Sequence, residues 1–422
     1  MREMKDSGIE WVGSIPAHWR IHPVYYYFGE GKNKNRLGQE NNLLSLSYGK
    51  IVRKDINSSD GLLPESFNTY NIVEADDIII RPTDLQNDKR SLRTGLVHER
   101  GIITSAYICL RPIKKIDSRF FNYQLHAYDV IKVFYNMGNG VRQGLNFSEF
   151  SRLLVFEPPI NEQKKIADYL DFKCAEIDAL TSDIQAQIDA LEQYKRSVIT
   201  EAVTKGLSPD TKMKDSGVEW LRSIPAHWAV DNPKYHFVQR KERAKSGMVQ
   251  LTASQKYGVV TQEEYMKLTG ARIVTVQKDF DILKLVCAGD FIIHMRSFQG
   301  GLEYSEKTGS ISSAYVMLIP QKTILEPRYY KWFFKSDIYI DALSSTTNLV
   351  RDGQAMRWAN FIQLPILLPP AEEQRAIANY LDVKCAEINA VVATKKEQLS
   401  TLEAYKKSLI YEYVSGKKEV PV

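Results

Sequence analysis

Two pairs of polar loops, each pair at equivalent places in the two halves of the chain, are rich in arginine, lysine, glutamine and asparagine. The first pair follows the runs Asp77–Ile80 and Asp290–Ile293, and the second lies at Asn139–Asn146 and Asn348–Arg357. Arginine can donate two parallel hydrogen bonds to guanine and glutamine can pair with adenine, while lysine and serine commonly hold phosphates. A solvated loop without a ligand is the alternative, and recurrence in both halves favours DNA binding. The residues predicted to contact DNA are Arg81, Lys89, Arg90, Arg93, Arg142, Gln143, Arg296, Ser297, Gln299, Arg351, Gln354 and Arg357.

Known catalytic motifs are absent from the sequence. There is no phosphate-binding Walker loop, no HExxH, no paired CxxC and no GxGxxG, and Gly138–Gly144 has the wrong spacing for a dinucleotide loop. Glu157–Ile160 superficially resembles the Asn/Asp-Pro-Pro-aromatic motif of amino-methyltransferases. It has neither the initial asparagine or aspartate nor the final aromatic residue of that motif. The sequence therefore predicts neither a catalytic site nor a metal site.

The elements that must position these loops form two tandem copies of one unit. Met4–Trp19 and Met213–Trp228 differ at only three positions, which chance does not produce. Between these segments and the later repeats the two halves diverge, as expected of a kept scaffold with variable binding loops. Strand-like runs at 77–80, 102–110, 290–293 and 311–319, together with helical spacing at 120–135 and 328–343, predict an α+β module used twice. His18 and His227, each between alanine and tryptophan, are interpreted as structural.

Each copy ends in a long predicted helix, at 162–203 and 373–414. Apolar residues recur every seven positions, which is typical of a coiled coil, although Lys395 interrupts the second series. Two helices of equal length are natural partners for each other, and packing of each helix on its own module is the alternative. The predicted seam consists of Leu170, Ile177, Ile184, Leu191, Val198, Leu381, Ile388, Leu402 and Leu409.

Composition limits the class of protein. The 422 residues are 44% hydrophobic and carry a net charge of +5, which is compatible with DNA but is weak support for it alone. No apolar run approaches the length of a membrane span, and the N-terminus lacks a secretory signal. The four cysteines form no close pair. We therefore expect a cytoplasmic protein with reduced thiols.

Three motifs, each present twice, carry a family resemblance. They are D-S-G-[IV]-E-W-x-x-S-I-P-A-H-W, P-P-x-x-E-Q at Pro158 and Pro369, and K-C-A-E-I-[DN]-A at Lys173 and Lys384. Together they resemble the specificity subunit of type I restriction–modification enzymes, over essentially the whole chain. The resemblance implies two target-recognition domains separated by two long helices that pair as an antiparallel coiled coil with pseudo-two-fold symmetry. The implied divisions are 1–160 and 207–371 for the recognition domains, and 161–206 and 372–422 for the helices.

The resemblance also implies a function. Each recognition domain would read one half of a bipartite, asymmetric site in double-stranded DNA, and the helices would fix the gap between the halves. Two methyltransferase subunits, which bind S-adenosylmethionine, and motor–nuclease restriction subunits would assemble on the chain, which itself would be non-catalytic and hold no cofactor. Two rivals remain open at this point: a coiled-coil adaptor that binds proteins without DNA recognition, and an enzyme with an unusual site.

Overall fold

The computed structural model describes residues 2–57, 64, 66–85, 92–137, 144–272, 282–346 and 356–421. The chain divides into two compact units: unit 1 comprises residues 1–185 and 397–422, and unit 2 comprises residues 186–396. Each unit therefore combines one mixed module with the beginning of one long helix and the end of the other. The sequence-based division at 160, 206 and 371 instead separates modules from helices.

The first half of the chain is built from short strands and ends in a long helix. Its elements are β1 (Met4–Asp6), β2 (Ser14–Pro16), β3 (Arg20–Pro23), β4 (Phe28–Glu30), β5 (Leu44–Ser47), β6 (Lys50–Arg53), β7 (Asn71–Val73), β8 (Ile78–Ile80), β9 (Thr94–Leu96), β10 (Gly101–Ile103), β11 (Ile108–Pro112), α1 (Ser118–Val130), α2 (Phe147–Phe150), β12 (Leu154–Glu157) and α3 (Ile160–Lys205).

The second half repeats this order with additional short helices. Its elements are β13 (Met213–Asp215), β14 (Ser223–Pro225), β15 (Ala229–Asp231), β16 (Phe237–Arg240), β17 (Leu251–Ser254), β18 (Gly258–Thr261), α4 (Gln262–Thr269), β19 (Lys284–Val286), β20 (Phe291–Ile293), α5 (Ser297–Gly300), β21 (Glu303–Tyr304), β22 (Gly309–Ile311), β23 (Val316–Pro320), α6 (Pro327–Phe333), α7 (Asp337–Ser345), α8 (Trp358–Phe361), β24 (Ile366–Leu368) and α9 (Ala371–Val414).

Both modules have the same sheet topology. In unit 1 an antiparallel sheet runs in the order β4–β11–β8–β9, and in unit 2 the corresponding order is β16–β23–β20–β21. The pairs β5–β6 and β17–β18 are hairpins; we call residues 47–50 and 254–258 the hairpin tips. The strand-following loops are residues 81–93 and 294–301, which come directly after β8 and β20. The divergent halves therefore use one scaffold, as the sequence predicts.

Buried apolar and aromatic side chains in each module explain why these strands and helices form. The predicted strands at Ile78–Ile80 and Phe291–Ile293 are fully buried at the centre of their sheets. Trp19, which is fully buried, packs edge-on against Phe120 of α1 with the ring centroids 6.1 Å apart. Its repeat equivalent Trp228 packs in the same way on Tyr329 at 6.4 Å. Each of the near-identical segments, at 4–19 and at 213–228, thus contributes a buried tryptophan to the core of its module.

Three local predictions differ from the structure. The runs at Ser105–Tyr107 and Ser313–Tyr315, expected inside strands, are turns that separate β10 from β11 and β22 from β23. In the first turn the Tyr107 N–H donates to the Thr104 carbonyl, so the chain reverses there. The helical pattern predicted over 328–343 is divided into α6 and α7, because the Ser336 hydroxyl donates to the Phe333 carbonyl and stops the first helix.

Within unit 1 the first part of α3 and the last part of α9 pack against each other in opposite directions. Tyr169, near the start of α3, stacks against Tyr413, near the end of α9, with the ring centroids 4.6 Å apart. Further along, Lys406 donates to Asp178 at 2.5 Å. Of the predicted seam in this unit, Leu170, Ile177, Ile184 and Leu409 are buried, whereas Leu402 is half-buried. Cys174 also lies in this core.

Within unit 2 the last part of α3 and the first part of α9 make comparable contacts. Lys195 donates to Asn389 at 2.7 Å, and Lys395 donates to Gln187. Lys395, which interrupts the apolar series of α9, therefore faces the other long helix. The predicted seam residues Leu381 and Ile388 are buried.

The predicted seam at Leu191 and Val198 is only half-buried, and Ile188 and Ile199 take the buried positions. A straight α-helix drifts by about 20° per heptad relative to a strict seven-residue repeat. After four heptads the drift is close to one residue's rotation of about 100°, which moves the buried position from Val198 to Ile199.

Candidate nucleic-acid interface

Arg93 anchors the strand-following loop of unit 1. Its side chain is fully buried, and its guanidinium donates to the carbonyls of Thr83 and Asp84 and to the Tyr135 hydroxyl. The distances to Asp84 and Tyr135 are both 2.9 Å. The prediction that Arg93 contacts DNA does not fit this burial, because the guanidinium is engaged inside the protein. Arg93 instead holds the loop's two ends together.

The other predicted contacts in this loop are only partly described. Arg81 is half-buried, and its backbone N–H donates to the Arg93 carbonyl at 2.8 Å. Asp84 has a positive φ of 56°, a backbone conformation that is uncommon for any residue except glycine. Lys89 and Arg90 lie outside the described residues.

The second predicted loop of unit 1 meets the first. The Leu145 N–H donates to the Pro82 carbonyl at 3.0 Å, so the end of the second loop lies directly against the strand-following loop. Arg142 and Gln143, the predicted contacts of the second loop, lie outside the described residues. Loops that are about 60 residues apart in the chain are thus joined at one place in unit 1.

The strand-following loop of unit 2 is also held by a buried predicted residue. Ser297 is fully buried, and its hydroxyl accepts a hydrogen bond from the His294 N–H at 2.9 Å. Like Arg93, Ser297 supports its loop and does not reach solvent, so its predicted DNA contact does not fit either. Arg296 and Gln299, in contrast, have exposed side chains. They remain available to a ligand.

The second predicted loop of unit 2 is represented by its last two residues, the buried Met356 and Arg357. Arg357 is exposed and precedes α8, where its backbone N–H donates to the Asn360 side chain at 3.0 Å. Arg351 and Gln354 lie outside the described residues. Their predicted contacts with DNA therefore stay predictions.

Sequence reasoning missed the hairpin tips, which lie against the strand-following loops in both units. In unit 1 a Cβ added to Gly49 would lie 3.2 Å from the Leu92 side chain. In unit 2 the Gln255 side chain donates to the Arg296 carbonyl at 3.0 Å. The signal available in the sequence was a glycine between strand-forming residues, at Gly49 and at Gly258. Each unit thus presents a composite surface of hairpin tip and strand-following loop.

Beneath the hairpin tip of unit 1 lies a groove of about 720 Å³ that is bordered by the long helices of the same unit. Burial raises the pKa of Asp178, but hydrogen bonds and charge from Lys406 and Lys50 outweigh this and hold its pKa below the usual value. Burial, reinforced by Lys406 and Lys407, lowers the pKa of His126 to about 4. Near neutral pH the groove therefore holds a neutral imidazole beside paired charges. A groove of about 650 Å³ lies at the corresponding place in unit 2.

The two repeated histidines make structural contacts. His18 Nε2 lies 2.8 Å from Glu162, and His227 Nε2 lies 2.5 Å from Glu373. Both glutamates stand in the first turn of a long helix, where a carboxylate is favoured by the helix dipole. Each histidine thus ties its repeated segment to the start of the helix that follows its module.

Two curated relatives from Methanocaldococcus jannaschii (strain ATCC 43067 / DSM 2661 / JAL-1 / JCM 10045 / NBRC 100440) match the chain. The first, named provisionally as the MjaX type I restriction enzyme specificity subunit, is 22% identical and aligns over 96% of this chain and 95% of its own length. The second, the MjaVIII type I restriction enzyme specificity subunit, is 22% identical over 76% of this chain and 75% of its own length. The chain resembles type I restriction enzyme specificity subunits. The resemblance predicted from the repeated motifs is confirmed.

A solved structure shares the fold. A chain from a study of complex assembly and conformational transition of the type I R-M system matches with a TM-score of 0.68 at 14% identity, covering 96% of this chain and 99% of that chain. This likeness confirms the mixed α and β architecture with a long helix. No protein-family model matches the chain.

Two further observations concern the described residues alone. No group of three or more histidine, cysteine, aspartate or glutamate side chains among them is arranged to hold a metal ion. None of their helices combines the length and the apolar character that crossing a membrane requires.

Proposed function

We propose that the chain is the specificity subunit of a type I restriction–modification complex and recognises a bipartite, asymmetric DNA site. The observation that carries the proposal is the composite surface of hairpin tip and strand-following loop, which recurs on one scaffold in both units. The scaffold is shared and the surface residues differ. Because the surface residues of the two units differ, we expect the two half-sites to differ in sequence, with one half-site recognised by each unit.

Exposed Arg296 and Gln299 suit base recognition in the half-site of unit 2, since arginine pairs with guanine and glutamine with adenine. The buried Arg93 and Ser297 hold the loops in position from within. Fixed loops favour specificity, because a loop already ordered in its bound conformation loses less entropy on binding.

The long helices are proposed to pair as an antiparallel coiled coil with pseudo-two-fold symmetry and to set the gap between the half-sites. Opposite-running contacts within each unit support this proposal. The chain itself is proposed to be non-catalytic and to hold no cofactor. Two methyltransferase subunits carrying S-adenosylmethionine, together with restriction subunits, would act on DNA that the chain selects.

Methylome sequencing tests whether each unit recognises one half-site. Residues 229–368 are replaced by the corresponding module of another specificity subunit, and the hybrid is expressed with the methyltransferase partner. We expect one half-site to change while the other half-site and the gap are kept. A change in both half-sites would contradict the proposal.

The adaptor alternative predicts a different result in a direct binding assay. Phosphate contacts make the affinity for duplex DNA fall steeply with salt concentration. The purified complex should show such a salt dependence together with preference for the methylated site. An adaptor would show neither.

A further inference from the structure

Tyr48, at the hairpin tip of unit 1, has an unfavourable backbone conformation. β5 and β6 pair from Ser47 to Lys50, which leaves Tyr48 and Gly49 as a two-residue turn. Their φ values are +47° and +78°. A two-residue hairpin turn with both φ values positive is of type I′, which favours asparagine followed by glycine. A tyrosine there is disfavoured, so local folding does not explain its presence.

The Tyr48 side chain is exposed to solvent. At 88% exposure it is the most exposed large apolar or aromatic side chain among the described residues. Its hydroxyl makes no hydrogen bond within that part of the chain. Strained residues that persist without a packing role are concentrated at functional sites.

The position of the hairpin tip indicates that its ligand is duplex DNA. Gly49 approaches the Leu92 side chain and the Thr94 carbonyl, where the strand-following loop returns to the sheet. Tyr48 therefore stands beside the loop that carries the predicted DNA contacts. A ligand that reaches both must follow the surface from the loop to the tip, as a duplex backbone does.

Unit 2 also has a tyrosine at its hairpin tip, but the turn and the surroundings of that tyrosine differ. Tyr257 and Gly258 follow Gln255 and Lys256 at its hairpin tip, and Gly258 has a φ of +68°. The Lys256 ammonium lies 4.9 Å from the Tyr257 ring centroid. Tyr257 is half-buried and packs edge-on against Tyr265, with the ring centroids 6.1 Å apart, so packing within unit 2 explains its presence.

We propose that Tyr48 is a DNA-contacting residue whose hydroxyl donates a hydrogen bond to a backbone phosphate of the half-site read by unit 1. Tyrosine is among the side chains that make such phosphate contacts, which position the protein on the duplex. The inference rests on the proposed function, and it adds one contact outside the predicted loops.

The test uses the full chain in complex with its methyltransferase partner and a duplex that carries the site found by methylome sequencing. Tyr48→Asn suits the type I′ turn, so the melting temperature should stay the same or rise. Its affinity for the duplex should fall about tenfold, which corresponds to about 1.4 kcal/mol. Tyr48→Phe, which keeps the ring but removes the hydroxyl, should lose about as much. The salt dependence should not change for either variant, because no charge is removed.

Tyr25→Phe is the matched control, since Tyr25 is 56% exposed and belongs to the segment between β3 and β4, not to the tip; it should bind DNA like the wild type. Unchanged affinity in Tyr48→Asn would overturn the inference, as would full affinity in Tyr48→Phe. Loss of the methyltransferase subunit from the Tyr48→Asn complex would also overturn it, because the tip would then contact protein. If the wild-type complex itself shows no preference for the site, the proposed function fails instead.

Discussion

Replacing Arg93 with methionine tests the idea that a buried arginine fixes the strand-following loop. The change removes the hydrogen bonds to Thr83, Asp84 and Tyr135. Each is worth roughly 1.5–3 kcal/mol because the donor is charged. Much of this loss of stability is offset, because methionine fills a similar volume and the cost of burying the charged guanidinium disappears. We therefore expect a net loss of about 2–3 kcal/mol in the free energy of unfolding of unit 1.

Urea unfolding of the full chain measures this loss. With a typical dependence of about 2–3 kcal/mol per molar urea, the midpoint of unit 1 should fall by about 1 M. Amide hydrogen exchange, resolved by peptide, separates the units, and unit 2 should keep its wild-type protection. Lys335→Met is the counterpart in unit 2, because Lys335 donates to the Gly300 carbonyl there at 2.9 Å.

Arg93→Met should also relax base discrimination in the half-site read by unit 1, with the other half-site unchanged in the same methylome. Arg93→Lys keeps the charge but cannot reproduce the planar fork, so it should fall between wild type and Arg93→Met. An unchanged urea midpoint would refute the anchoring role. Equal loss of protection in both units would refute the assignment of Arg93 to one unit's loop.

Three further changes have expected outcomes. Leu170→Ala should destabilise unit 1 by about 2–5 kcal/mol, whereas Leu191→Ala, at a half-buried position, should cost much less in unit 2; equal urea shifts would contradict the observed seam. His126, with a folded pKa of about 4 against about 6.5 unfolded, makes unit 1 less stable as pH falls from 6.5 to 4, since only the unfolded chain gains a proton there; His126→Leu should flatten urea midpoints measured across that window. Gly301→Ala would place a Cβ 1.9 Å from a backbone oxygen at a φ of +74° and should cost unit 2 about 3 kcal/mol or more, while Gly300→Ala, which meets only a flexible side chain, should be milder in thermal melts.

The sequence predicted the features that depend on repetition and periodicity. The repeated Met4–Trp19 and Met213–Trp228 segments revealed the tandem organisation, and the apolar runs before Arg81 and His294 located the central strands. Heptad spacing located the long helices, although helical drift moved the buried position from Val198 to Ile199.

The predictions failed where side-chain type was used without knowledge of burial. Arg93 and Ser297 have the chemistry of DNA contacts, but both are inside the protein, because a loop that must be held in one shape needs hydrogen-bond donors and acceptors within. Composition cannot distinguish a polar residue that supports a loop from one that the loop displays. The hairpin tips were missed for a related reason. Tyr48 has strand-forming neighbours, and its positive φ, its exposure and the closeness of Gly49 to Leu92 are visible in the structure alone.

The division of the long helices between the units has a consequence for protein synthesis. Unit 2 is a continuous stretch, so all of its residues are synthesised before residues 397–422. Unit 1, although its module is translated first, needs residues 397–422 to cover its share of α3. A premature stop codon near the end of the gene should therefore damage the module made first and spare the one made second, and the nascent first module is the part with the longest need of chaperone protection.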